Sequence, residues 1–307
     1  MAEWLLADVG ASHTRLALAT TGGLCAGTAA RYENARFDGV EAVLAAYLGR
    51  GRVEAVCAGV AGPVRGGAAR LTNLGWVIEA AGVARASGAA RVRLMNDLQA
   101  QAMALDDLPV SALVPVLPGA ADPEGARMVM GLGTGSNIAV AHRVAGGLHV
   151  PPAEAGHSGL PHMDEELNRL IAAVAAEATH KPYEALVSGT GLVRLHRLRG
   201  GTAQSAPEIL AMAAAGEAEA CATLAIFVRL LGTVMGNLAL THMATGGVFL
   251  IGGLARALAP HLGTLGLRDS FADKGPYAAI LAAMPVWLIA DDTAALTGCW
   301  RALARGA

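Results

Sequence analysis

The sequence predicts an α/β protein of two domains, built on mixed sheets with helices on their faces. Three observations carry that expectation. The chain has 307 residues, and a single domain ordinarily takes about 100–200. Three early strand patterns are followed by β-α-β alternation, which implies a sheet with an antiparallel part and covering helices. A strand, a glycine turn and a second strand recur once in each half, a weak internal symmetry rather than a short-period repeat. With 54% hydrophobic residues, the chain has ample material for a buried core.

Trp4–Val9 and Arg15–Ala19 read as apolar strands around the turn Gly10-Ala11-Ser12-His13-Thr14, and Thr28–Tyr32 as a third strand. Asp38 is expected to cap a helix whose apolar positions are Val40, Val43, Leu44, Tyr47 and Leu48, with Glu41 completing a capping box and Gly49 and Gly51 near the stop. Ala55–Ala61 reads as a buried strand ending at Gly62-Pro63, and Arg91–Met95 as another that leads into a helix over Leu98–Leu105. The Pro-containing, loosely polar stretch from Asp106 to Pro123 marks the crossing into the second domain.

There the pattern partly repeats, with strand Met128–Leu132, turn Gly133-Thr134-Gly135 and strand Asn137–Ala141. Helices are expected at Met163–Ala178, Gly189–Arg199 and Glu217–Met243, then a strand at Gly247–Ile251, a helix from Leu254, a strand at Val286–Ile289 and a last helix at Thr293–Ala304. From Leu230 to Leu254 no side chain is charged, a length that could span a bilayer. Thr233, Asn237, Thr241, His242, Gly246-Gly247 and Gly252-Gly253 suit a buried helix followed by a buried strand instead.

Composition excludes several classes. The formal net charge is −2, and without a basic run there is no electrostatic footprint for nucleic acid or an anionic membrane. Cys25, Cys57, Cys221 and Cys299 lack C-x-x-C spacing, so they read as reduced thiols rather than a zinc site or a disulfide framework. The first residues have no basic segment, and Asp8 interrupts the first apolar stretch, so no signal peptide is expected. The lysines, Lys181 before Pro182 and Lys274 before Gly275, do not form a P-loop. The protein-kinase set, a G-x-S-x-G elbow and a G-x-G-x-x-G fingerprint are also missing.

What remains is a set of glycine turns and acidic residues at strand ends. Asp8 stands directly before Gly10-Ala11-Ser12, where small residues would let backbone N–H groups approach phosphate oxygens and a carboxylate could hold the water shell of Mg²⁺. Gly133-Thr134-Gly135 could supply an opposing clamp, and Gly252-Gly253 ends a strand before a helix; each taken alone is also an ordinary tight turn. Asn96-Asp97 ends a strand and opens a helix, a position suited to chemistry at the carboxyl edge of a sheet and equally to a helix cap. Glu154-Ala155-Gly156-His157 has E-x-x-H spacing, but Pro151-Pro152 and Gly156 argue for a loop, where carboxylate and imidazole suit vicinal hydroxyls better than a metal. Glu184, before Ser188-Gly189-Thr190-Gly191, has no reading by itself.

In that order, these segments resemble the bacterial ATP-dependent glucokinase (hexose kinase) family of the actin-like ATPase superfamily, over essentially the whole chain. The matching stretches are Leu6–Arg15, Leu71–Trp76, Met95–Asp97, Gly131–Gly135, Glu154–His157, Leu186–Val193 and Gly246–Gly253. The resemblance implies a two-domain actin-like (ribonuclease H-like) fold with an interdomain cleft, a small domain of residues 1–108 plus 291–307 and a larger one of 109–290. It implies transfer of the γ-phosphate of ATP to the 6-hydroxyl of D-glucose with Asp97 as general base. Asn73, Asn96, Glu154, His157 and Glu184 would then hold the other hydroxyls. Asp8, Gly10, Ala11, Ser12, Gly133, Thr134, Gly135, Gly252 and Gly253 would hold ATP, with Asp8 reaching Mg²⁺ through water and no residue ligating it directly. A homodimer in the cytoplasm is implied as well.

The family usually has Gly-Gly-Thr where this chain has Gly10-Ala11-Ser12, commonly Asn at His13, and frequently Gly at Ala155. These departures bear on nucleotide affinity and hexose preference. A kinase for another sugar such as glucosamine or mannose, or a non-catalytic sugar sensor, are the competing readings.

Overall fold

The computed structural model describes residues 3–71, 74–174 and 179–305. The chain forms two compact units, one of residues 1–110, 144–152 and 291–307, the other of residues 111–143 and 153–290.

In the first unit, β1 (Trp4–Val9) is buried along its whole length, because it pairs antiparallel with β2 (His13–Thr20) and parallel with a later strand. Strand β2 begins at His13, which pairs with Glu33, so the expected turn shortens to residues 10–12. A two-residue strand β3 (Gly23–Leu24) precedes β4 (Ala30–Glu33), which pairs with β2 and leaves Thr28 outside the expected third strand. Helix α1 (Val40–Leu48) is capped by Gly39 in extended conformation, not by Asp38. Glu41 makes no capping box: with Gly39 as the cap there is no side-chain cap hydrogen bond, and one Glu41 carboxylate oxygen packs against Gly82 of a neighbouring helix.

Strand β5 (Ala55–Val60) joins β1, and β6 (Val64–Arg65), β7 (Ala68–Arg70) and β8 (Val77–Glu79) form a separate small sheet. Its hairpin turns at Gly66-Gly67, with φ of +57° and +74°, the left-handed pair a two-residue loop requires. Helix α2 (Ala80–Ser87) returns the chain to β9 (Arg91–Asn96), which completes the order β3-β2-β1-β5-β9 and runs into α3 (Asp97–Met103). Leu5, Val9, Val43, Val56, Val60 and Ile78 lie in the core of this unit.

The second unit opens with β10 (Leu113–Leu117), inside the stretch expected to be a linker. Strands β11 (Arg127–Leu132) and β12 (Ser136–Val144) flank the second glycine turn. The segment 144–152, with β13 (Gly147–His149), belongs to the first unit, where the sequence had assigned it to the larger domain. Helix α4 (Glu165–Val174) starts two residues after the expected Met163, and the expected end at Ala178 lies outside the described residues.

Helix α5 (Gly189–Leu198) is followed by α6 (Ala206–Ala214), absent from the sequence reading although Ser205, Pro207 and Glu208 form a start signal: the Ser205 hydroxyl accepts from Glu208 N–H. Helix α7 (Ala218–Thr241), long and apolar enough to cross a membrane by length and composition, buries Phe227, Leu230, Leu231, Val234 and Met235 in the unit's core. Its Gly232 and Gly236 admit α9 (Leu267–Ala272), whose Ser270 and Phe271 stand where a Cβ would be. Strand β14 (Val248–Ile251), helix α8 (Gly253–Leu262), helix α10 (Ala278–Ala283) and strand β15 (Val286–Ile289) complete the unit, with sheet order β10-β15-β14-β11-β12. Thus the uncharged stretch from Leu230 is a buried helix and then a buried strand.

The chain ends in α11 (Ala294–Ala304), which packs in the first unit against α3. Gly298 makes that packing possible, since a Cβ there would overlap the Ala100 carbonyl oxygen. Gly298→Ala should therefore lose about 1–3 kcal/mol of stability, the usual cost of overpacking against backbone. Gly263→Ala is the control: its residue is right-handed helical with open space around it, so it should be neutral or slightly stabilising. Denaturant midpoints of the two variants check this, and equal midpoints would contradict the packing account.

Candidate functional site

In the first unit, one register row sets the geometry. Val9, Val60 and Asn96 are aligned partners across the parallel strands β1, β5 and β9. The residues just past this row, Gly10 and Asp97, therefore emerge at the same carboxyl edge of the sheet, where ligands of open α/β sheets collect. Asp8 stands one step before the row, opposite Gly59, which is opposite Met95. A Cβ on Gly59 would lie 3.1 Å from Ala100 Cβ and 3.5 Å from Asp97 Cα. The bare glycine lets α3 sit closely on β5 and fixes where Asp97 begins it.

Asp97 is the first residue of α3, and its Oδ1 accepts from Leu98 N–H at 2.9 Å. Asn96 caps the helix: its Oδ1 accepts from Leu98 N–H at 2.9 Å, and its own N–H donates to Gln99 Oε1 at 3.0 Å. Asn96 Nδ2 donates to Gly62 O at 3.2 Å. Both readings open for Asn96 thus fall on one residue, a cap that also sits at the sheet edge.

Asp8 is 8% exposed, and its Oδ2 accepts from Arg15 Nη1 at 3.1 Å. Burial pushes its pKa above the ordinary 3.8; Arg15 opposes this, and the nearby Asp292 carboxylate adds to it.

The Gly10–Ser12 turn is closed by Gly10 N–H donating to His13 O at 3.0 Å. Around it is Asn34, a buried residue the sequence reading did not single out. Its Nδ2 donates to Gly10 O at 2.8 Å, its Oδ1 accepts from Thr14 Oγ1 at 2.8 Å, and its N–H donates to Ser12 O at 2.9 Å. Ala11 is not left-handed: among the described non-glycine residues, Met243 is the one with positive φ. The backbone conformation at position 11 is therefore not one that calls for glycine. His13 contributes its carbonyl and otherwise belongs to β2.

In the second unit, Glu154, His157 and Glu184 come together. Ala155–His157 forms a single 3₁₀ turn, not an α-helix. His157 Nε2 lies 3.5 Å from Glu184 Oε1. Glu154 Oε2 accepts from Asn137 Nδ2 at 3.0 Å, and Asn137 Oδ1 accepts from Gly156 N–H at 3.2 Å. Burial raises the Glu154 pKa, with His157 opposing and Glu184 reinforcing the shift. Two carboxylates and an imidazole give hydroxyl groups both acceptors and a donor. Glu184 Oε2 also accepts from Ser136 N–H at 3.3 Å, at the end of the second glycine turn.

That turn borders a cavity of about 870 Å³, lined by Gly133 and Thr134, by Thr190, Arg194 and Arg197 of α5, by Ser205–Pro207 at the start of α6, and by Gly253 and Leu254 of α8. Gly252, at φ +110°, sits where a Cβ would overlap the Leu132 carbonyl, so α8 starts close beside β11. The turn and the start of α8 offer backbone N–H groups to an anion, whereas those at the start of α5 already donate to Gly133 O, Thr134 O and Ser188 Oγ; the volume is within the usual range for a small-molecule site. The α5 and α6 wall was not found from sequence as part of a pocket: Leu186–Val193 matched the family pattern with no role given to it, and α6 was not expected at all.

Asp8, Gly10, Ala11, Ser12, Asn96 and Asp97 therefore gather in the first unit. Gly133, Thr134, Gly135, Glu154, His157, Glu184, Gly252 and Gly253 gather in the second. Asn73 lies outside the described residues; of the residues near it in sequence, Leu71 N–H donates to Trp76 O at 2.9 Å.

Against known proteins, a family model described as Glucokinase matches residues 5–305. A glucokinase of Chromobacterium violaceum is 36% identical over 304 residues, covering 96% of this chain and 87% of its own. Among solved structures, a glucokinase from an Antarctic psychrotroph superposes with a TM-score of 0.86 at 30% identity, over 99% of both chains. A ROK family glucokinase from Streptomyces griseus, in complex with glucose and AMPPNP, superposes with a TM-score of 0.66 at 18% identity, covering 99% of this chain and 100% of its own. The fold is that of the actin-like ATPases. By sequence over nearly its full length, and by the fold on which its strand-end acids and glycine turns are mounted, this chain belongs to the glucokinase family.

Proposed function

We propose that this protein transfers the γ-phosphate of ATP to the 6-hydroxyl of D-glucose, with Asp97 as the general base. The observation that carries the reading is the position of Asp97, held by the Asn96 cap at the carboxyl edge it shares with Asp8 and the first glycine turn.

In this reading Glu154, His157, Glu184, Asn96 and Asn73 bind the sugar hydroxyls and fix the direction of the 6-hydroxyl. Asp97 accepts its proton as the oxygen attacks phosphorus in line with the departing ADP oxygen. Backbone N–H groups of Gly10–Ser12, Gly133–Gly135 and Gly252–Gly253 receive phosphate oxygens. The cavity beside Gly133 and Gly253 takes the nucleoside, in keeping with the ATP analogue held by the Streptomyces griseus relative. Positioning and charge stabilisation do most of the work in phosphoryl transfer, and the base adds about 10²–10⁴-fold.

Asp8 suits Mg²⁺ held through water. It is a buried carboxylate with the Asp292 carboxylate close enough to act on it; the Arg15 guanidinium donates to its Oδ2, and the carboxylate would hold the ion through its water shell rather than directly. When bound, Mg²⁺ would offset negative charge on the transferring phosphate. A homodimer in the cytoplasm belongs to the same reading. The sugar-sensor alternative drew on Ala11 and His13; it loses support where Ala11 needs no left-handed backbone and His13 serves the turn through its carbonyl.

Asp97→Asn should lower kcat by about 10²–10⁴-fold, the contribution of a general base, while the glucose dissociation constant measured calorimetrically stays within about threefold. Retained kcat would remove Asp97 from the role. In an ADP-release assay across sugars, glucose should give the highest kcat/KM, with mannose and glucosamine lower; the reverse order would reassign the acceptor.

Asp8 gives a pH prediction. Its folded pKa is raised, so its ionisation favours the unfolded chain. Its contribution to stability is present below the ordinary 3.8 and is lost as pH rises through the raised folded value. Denaturant unfolding of wild type and Asp8→Asn from about pH 3.5 to about pH 7 should show wild type losing ground to the variant as pH rises. The opposite slope would mean that the Arg15 ion pair outweighs burial.

A further inference from the structure

The start of α5 is tied to the second glycine turn by contacts that the proposed reaction does not yet use. Gly189 N–H donates to Gly133 O at 2.7 Å. The Thr190 hydroxyl donates to Thr134 O at 3.0 Å, a shorter bond than the 3.4 Å one from the Thr190 N–H to the same oxygen, and it lies 3.1 Å from Ser188 Oγ. A Cβ on Gly189 would lie 2.8 Å from Gly133 O, so glycine is what allows this approach. Ser188 anchors the arrangement from behind: its Oγ donates to Glu184 O at 2.7 Å and accepts from Gly191 N–H at 3.0 Å as the helix cap.

A trans peptide points its C=O and the following N–H in opposite directions. Fixing the Gly133 carbonyl on α5 therefore turns the Thr134 N–H away from α5, and fixing the Thr134 carbonyl on Thr190 does the same for the Gly135 N–H. These are the N–H groups that a phosphate at this turn would meet. Gly133, Thr134, Gly189 and Thr190 all line the cavity. The turn is also held at its far end, where Ser136 N–H donates to Glu184 Oε2 at 3.3 Å.

We propose that Thr190 is a positioning residue for the phosphoryl donor, its hydroxyl orienting the Thr134–Gly135 peptide so that the turn receives phosphate oxygens. This rests on the reading of the cavity and turn as the ATP subsite. Thr190 does not touch the reacting atoms in this account; it acts through the backbone of the turn. Because the side chain is exposed, its hydroxyl can be removed without opening the core.

The test compares Thr190→Val, which keeps the shape and loses the donor, with Thr190→Ser, which keeps the donor. Three quantities are measured on each: the KM for ATP, the dissociation constant of AMPPNP by calorimetry, and the dissociation constant of glucose without nucleotide. Thr190→Val should raise the ATP KM and weaken AMPPNP by about three- to tenfold, the span of one lost hydrogen bond, with glucose binding unchanged. Thr190→Ser should restore both nucleotide constants.

Unchanged nucleotide constants in Thr190→Val, or a Thr190→Ser variant as impaired as Thr190→Val, would overturn the proposal. So would a parallel loss of glucose affinity in Thr190→Val, which would mark a general loosening of the unit. If the wild-type chain binds AMPPNP but does not phosphorylate glucose, the acceptor reading fails, and the AMPPNP contrast between the variants still decides the role of Thr190. If the wild-type chain binds no AMPPNP, both readings fall.

Discussion

The register of three parallel strands is the constraint on which the catalytic edge depends. Because β1, β5 and β9 pair with Val9, Val60 and Asn96 in one row, the chain leaves the sheet at Gly10 and at Asp97 side by side. A slip of one residue in β9 would send the Asp97 side chain to the other face. The register is well protected. Every β1 and β5 residue is buried; α3 sits close on β5 at Gly59 and close on α11 at Gly298, where a Cβ would overlap the Ala100 carbonyl oxygen. The acid proposed as base is thus placed by backbone pairing and by two missing side chains, with the Asn96 cap defining the first turn of the helix that bears it.

The second unit reaches a comparable result by different means. There the glycine turn is held from outside by α5 and by Glu184, and α8 is brought alongside by the left-handed Gly252. Glu184 is shared: one oxygen faces His157, the other accepts from the backbone at the end of the turn. A residue proposed to bind sugar is therefore part of the frame of the loop proposed to bind phosphate. Removing it should disturb more than one subsite, so effects of Glu184 variants on sugar and nucleotide are not expected to be independent.

Much of this was legible in the sequence where the signal is local. Strand ends carrying Asp8 and Asp97, the glycine turns and the E-x-x-H loop were all visible as short patterns, and the loop reading of Glu154–His157 holds in the structure. The resemblance to a family rested on the order of these patterns.

What was not legible depends on partners distant in sequence. Asn34 braces a turn 24 residues earlier, and Glu184 meets Ser136 across 48 residues. The α5–α6 wall of the cavity exists only once the helices pack. Asp38 misled because its spacing to Glu41 fits a capping box, while the helix is capped one residue later, at Gly39, with no side-chain cap bond. The small β6–β8 sheet was signalled only by Gly66-Gly67, its strands being too short for periodicity to register.

The central claim is that the Asp97 carboxylate faces the reactive hydroxyl of a bound hexose. It is tested most directly by a crystal structure of this protein with glucose and AMPPNP together. The account predicts the sugar's 6-hydroxyl within hydrogen-bonding distance of an Asp97 oxygen and directed toward the γ-phosphate. A sugar whose 6-hydroxyl points elsewhere, with Asp97 engaged in an ion pair away from it, would contradict the account.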